Sequence, residues 1–125
     1  MKKILTAALA VTIALMAQPI LAHGFTQPKH GGIVSMSGET LFELVMKPKT
    51  LELYVIDDDD PVVASGMTAK LTVNIGGKLQ NIMLKPAAGN RFDGPGIKAP
   101  SGTKIAVLVI DKKSQAHLGT TFTIK

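Results

Sequence analysis

The chemistry available to this chain rests mostly on three histidines, since it holds no cysteine and, in Arg91, a single arginine. His23 and His30 lie near the N-terminus and His117 near the C-terminus. If a signal peptide is removed after Ala22, His23 becomes the first residue, and its α-amine and imidazole can chelate one metal ion together. His30 or His117 would then add a further imidazole and complete a T-shaped copper site. Nitrogen donors of this kind suit Cu(II), and an α-amine with a pKa near ~8 is available as a neutral ligand around neutral pH. The competing reading leaves His23 in a frayed tail, His30 solvated and His117 a bystander.

Four methionines of the mature chain offer soft thioethers suited to Cu(I): Met36, Met46, Met67 and Met83. Met46 alternates with Phe42 and Leu44 and reads as core filling, whereas Met36 and Met67 stand near strand ends where a ligand is reachable. The candidate metal residues are therefore His23, His30, His117 and Met36. His30-Gly31-Gly32 allows a tight backbone path at the mouth of the first strand. Asp57 to Asp60, ahead of Pro61, lacks the spaced ligands and glycine of a calcium loop and reads as a solvated turn. No nucleophile elbow, phosphate loop or catalytic carboxylate pair is present, so an enzyme is not expected.

These residues need a scaffold, and the first part of the chain says where it works. Met1-Lys2-Lys3 is a positive start, Ile4 to Met16 is an uncharged apolar run too short to span a bilayer, and Ala22 offers a small residue for cleavage. Residues 1–22 are read as a signal peptide, with cleavage after Ala17 as the alternative. No cysteine follows the run to be acylated, so no stable membrane anchor is expected and the mature protein should be periplasmic. Loss of Lys2 and Lys3 lowers the formal charge from +5 to about +3. With no basic cluster and few aromatics, nucleic-acid binding has no footprint.

After an N-terminal segment, 23–32, the text from 33 to 125 is a single domain of short period-two segments cut by Gly, Pro, Asp and Asn. Phe42, Leu44 and Met46 share a face, as do Leu51, Leu53 and Val55, with Lys47 to Thr50 as the turn between them. Ala69, Leu71, Val73 and Ile75 point inward before a Gly76-Gly77 hairpin. The return strand is expected to carry a bulge, because Leu79 has the opposite parity to Ile82 and Leu84. Pro86 to Pro100 reads as loop. Ile105 to Ile110, continuously apolar, reads as a central strand covered on both faces, and the last strand turns His117 to solvent. The sum is an all-β, immunoglobulin-like antiparallel sandwich of about seven strands.

His30-Gly31-Gly32-Ile33-Val34, then Glu43-Leu44-Val45, then Leu53-Tyr54-Val55 with Asp60-Pro61-Val62 following, resembles a segment of small periplasmic proteins. The same segment occurs in N-terminal regions of periplasmic adaptors from RND-type heavy-metal efflux systems. The resemblance covers roughly residues 23 to 110 and implies a β-domain associated with export of copper, silver, zinc or cobalt. No coiled-coil hairpin, lipoyl or barrel region of a full adaptor is present, so this would be a free-standing version of one domain. A second resemblance, in His23 and in His117-Leu118-Gly119 before Thr121-Phe122-Thr123-Ile124, is to CopC-type periplasmic copper-resistance carriers.

The function expected from these readings is a non-enzymatic periplasmic metal-binding or heavy-metal efflux accessory protein, with a copper ion as ligand. Its expected partners are the metal ion and a heavy-metal efflux complex. A structural or protein-interaction sandwich module is the alternative. An N-terminal copper-brace enzyme is a third reading, poorly served by so few aromatics.

Overall fold

The computed structural model describes residues 27–125, all of whose regular structure is strand apart from one 3-10 turn at Ala64–Gly66. The strands are β1 (Ile33–Ser37), β2 (Thr40–Met46), β3 (Thr50–Asp57), β4 (Asp60–Pro61), β5 (Met67–Ile75), β6 (Lys78–Pro86), β7 (Arg91–Pro95), β8 (Lys104–Asp111) and β9 (His117–Thr123). The expected signal peptide, its cleavage point and His23 lie outside the described residues. No helix among the described residues is long and apolar enough to cross a membrane.

Alternation drives the local structure. Phe42 and Leu44 of β2, Leu51, Leu53 and Val55 of β3, and Leu71 and Val73 of β5 all point inward and are almost completely buried. Ile105 and Val109 of β8 and Phe122 of β9 meet them from the other side in one continuous core. Between β5 and β6, Gly76 and Gly77 both take positive φ, 60° and 79°, as a two-residue hairpin of the mirror-image type demands. The pairing then runs without interruption from Ile75↔Lys78 to Ala69↔Leu84, so the expected bulge is absent. Leu79 faces outward and is 71% exposed, which removes the parity conflict at the expense of one exposed leucine.

All pairing is antiparallel, in the order β1-β2-β3-β7-β6-β5-β8-β9, with β4 attached to β3. The segment read as loop contains β7, whose single buried apolar side chain, Phe92, is too little to display a period of two. β7 pairs with β3 through Leu53↔Phe92 and with β6 through Pro86↔Phe92. That bridge joins what an immunoglobulin-like sandwich keeps as two separate sheets, and with β4 it raises the count above the expected seven. The outcome is a nearly closed barrel. β8 is central in its pairing, between β5 and β9, but it is not covered on both faces: Ala106 is exposed and Leu108 and Ile110 are half-buried.

The barrel stays open at one seam. β1 and β9 lie side by side with no backbone ladder between them; the Ser35 and Thr120 hydroxyls meet at 2.5 Å, and Ser35 Oγ donates to the Thr121 carbonyl at 3.5 Å. At one end of the seam Gly31, Gly32, Ile33, Leu44 and Met46 face Ile124 and Lys125 around a cavity of about 220 Å³. The two strands therefore run antiparallel to each other.

Candidate functional site

The feature of the described residues with the most chemistry is a carboxylate where an apolar side chain would be expected. Glu43 occupies an outward position of β2, between Leu41 and Val45 on the same face, opposite Val34 of β1 and Tyr54 of β3. It is nonetheless only 2% exposed, because the segment ahead of β1 folds over it. A buried carboxylate must be hydrogen-bonded, and this one is bonded twice at each oxygen. Oε1 accepts from the Lys29 backbone N–H at 3.1 Å and from His30 Nδ1 at 2.9 Å. Oε2 accepts from the His30 N–H at 2.8 Å and the Gly32 N–H at 3.0 Å.

The two glycines make this possible. Gly31 has φ of 75°, which lets the N–H groups on either side of it turn toward one anion. Gly32 lies so close to β2 that a Cβ there would stand 2.4 Å from the Leu44 carbonyl oxygen. Burial pushes the Glu43 carboxyl up, but the bond from the His30 ring and those from the Gly32, His30 and Lys29 amides outweigh it. They hold the group below its ordinary range.

An ionised carboxylate only accepts, so the proton on this side of His30 sits on Nδ1, and in the ring's neutral form the lone pair is at Nε2. The ring also lies flat on Tyr54, with centroids 3.6 Å apart and planes 5° from parallel. Held along one edge and one face, His30 still leaves 41% of its side chain exposed. Beyond Tyr54 a paired charge strip continues the same sheet face. Arg91, opposite Tyr54 in the register, donates to Asp93 at 2.9 and 3.3 Å and stands 3.8 Å from Glu52, which Lys47 meets at 3.0 Å.

The other sequence candidates are distributed more widely. Met36, 38% exposed, shares the outward face of β1 with Val34 but stands further along the strand, opposite Leu41. His117 is exposed at the start of β9. Since the end of β9 flanks the His30 side of the seam and β9 runs antiparallel to β1, the fold carries His117 away from His30 and does not bring the two together. Met46 and Met67 pack against the core. Among the described residues no three His, Cys, Asp or Glu side chains form a group able to hold a metal ion on their own. The Asp57–Asp60 stretch is a turn, with Asp58 and Asp59 at positive φ and Asp57 accepting from Thr40 Oγ1 at 2.8 Å.

Glu43 and Tyr54 were not among the sequence candidates. The signal was a lone acid, Glu43, between the apolar Leu41 and Val45 on one strand face. His30, Glu43 and Tyr54, distant in sequence, meet in space. No family model matches this chain, and no curated protein matches it. Among solved structures, the one titled as the crystal structure of the Br derivative of BhCBM56 is similar over 74% of this chain and 99% of that chain, with 12% identity and a TM-score of 0.46.

Proposed function

We propose that this chain is a periplasmic, non-enzymatic metal-binding protein, an accessory to heavy-metal resistance or efflux, with Cu(II) as its first ligand. The observation that supports this best is the fixed His30: Nδ1 is engaged by a buried carboxylate, Tyr54 supports one face, and Nε2 is the nitrogen left to bind. Histidines that ligate metals commonly have their other ring nitrogen tied to a carboxylate in this way. One imidazole is not a site, so the remaining donors must come from elsewhere. With cleavage after Ala22, His23 would supply an amine and an imidazole, seven residues ahead of His30 in the chain. His117, at the far end of the seam, is the poorer partner.

The test is a Cu(II) titration of the correctly processed protein, of a form with one extra residue ahead of His23, and of His30→Ala and His117→Ala. The first should bind one ion. The extended form and His30→Ala should lose at least about tenfold in affinity, the size of a supporting-ligand effect. His117→Ala should match the wild type. Equal binding by all four would end the metal reading. It would favour the protein-interaction module, which draws support from the edges of the seam: neither Ile33–Ser37 nor His117–Thr123 carries a Lys, Arg, Asp, Glu or Pro to block strand addition.

A further inference from the structure

We propose that Glu43 is the positioning residue of this site, acting on the metal only through His30: it fixes the ring tautomer and straps residues 29–32 to the barrel. The inference rests on the metal reading for its purpose, but its geometry is independent of it. All four hydrogen bonds of one nearly inaccessible carboxylate go to a single short segment, two to each oxygen. Three of the donors are backbone amides and the fourth is the ring. The same group that holds Nδ1 therefore also fixes the backbone at Lys29, His30 and Gly32. Gly31 and Gly32 serve this strap: one takes the left-handed backbone that converges the amides, and the other gives up its side chain so that the segment can lie against Leu44.

Glutamine is an informative replacement. Its amide nitrogen cannot accept, so Glu43→Gln sets a donor against two of the donors that now converge there, whichever way the side chain is turned. With the amide nitrogen at the Oε1 position the His30 ring and the Lys29 amide lose their acceptor, and with it at the Oε2 position the His30 and Gly32 amides do, while the inward-facing core of β2 is untouched.

The experiment is nitrogen-15 NMR of the metal-free mature protein at about pH 8, above the ordinary imidazole range, reading the ring nitrogens of both described histidines and the exchange of the backbone amides. His30 should carry its proton on Nδ1, whereas His117, with no carboxylate bond among the described residues, serves as the comparison. In Glu43→Gln the His30 proton should move to Nε2 where the amide nitrogen takes the Oε1 place, or the His30 and Gly32 amides should exchange at least about tenfold faster where it takes the Oε2 place. Cu(II) affinity should fall by about 10- to 100-fold, the range expected for a lost outer partner of a ligating histidine. Wild-type His30 protonated on Nε2 overturns the proposal and needs no variant to show it, even if Glu43→Gln fails to fold. A folded Glu43→Gln with unchanged tautomer and exchange overturns it as well. If the tautomer or the strap responds as stated but the wild type binds no Cu(II), the positioning role is upheld and the metal reading alone fails.

Discussion

Placing a carboxylate on the outer face of β2 costs solvation that only its partners can return, and at Glu43 those partners belong to one segment, Lys29 to Gly32. The consequence for acid stability has a definite sign. Its folded value lies below the ordinary 4.5, so between the two values the unfolded chain binds more protons and stability rises with pH. The contribution is complete above about 4.5 and is lost as pH falls below that through the folded value. Urea midpoints of wild type and Glu43→Gln should therefore differ most at neutral pH and converge as pH falls below about 4.5. A gap that stays constant on acidification would mean that the fold does not favour the ionised form. Little of this residue-level arrangement was legible in advance. His30-Gly31-Gly32 looked like ordinary turn chemistry because nothing in the sequence says which distant side chain fills the turn.

At the scale of strands, period-two alternation placed β2, β3 and β5, because each buries two or more apolar residues at alternate positions, while β8 was read from a continuous apolar run and β9 buries only Phe122. The same logic failed at both ends of the β6–β7 bridge. Leu79 invited a bulge that the continuous ladder does not contain, and β7 was missed because Arg91-Phe92-Asp93-Gly94-Pro95 has one inward side chain and ends in two residues that commonly mark a loop. That one side chain carries a heavy share of the packing. Phe92 is wholly buried and stands where β3, β6 and β7 meet. Phe92→Ala should cost about 3–5 kcal/mol in urea unfolding, as for other buried phenylalanines. A loss below ~1 kcal/mol would show that the bridge between the sheets does not depend on it.

For the molecule as a whole, the all-β antiparallel class followed from composition and alternation, but closure did not. A sequence of well-formed strands is equally compatible with two facing sheets or with one sheet curled onto itself, and the short β7 decides between them here. Closure then stops one ladder short, leaving β1 and β9 antiparallel neighbours linked through hydroxyls. One result is that the described chain starts and finishes on the same side of the barrel, with Gly31 and Gly32 sharing a cavity with Ile124 and Lys125. The linear order of the strands is thus separable from their arrangement in space. A circular permutant that joins Lys125 to Gln27 through a short flexible linker and opens between Gly76 and Gly77 should keep a strand-rich circular dichroism spectrum and cooperative melting. Collapse of that spectrum would mean that the hairpin, and not the closed arrangement of strands, is what the chain needs in order to fold. Such a permutant also omits His23 and its α-amine while retaining His30, Glu43 and Tyr54, and so asks of one molecule which properties belong to the barrel and which to the processed end.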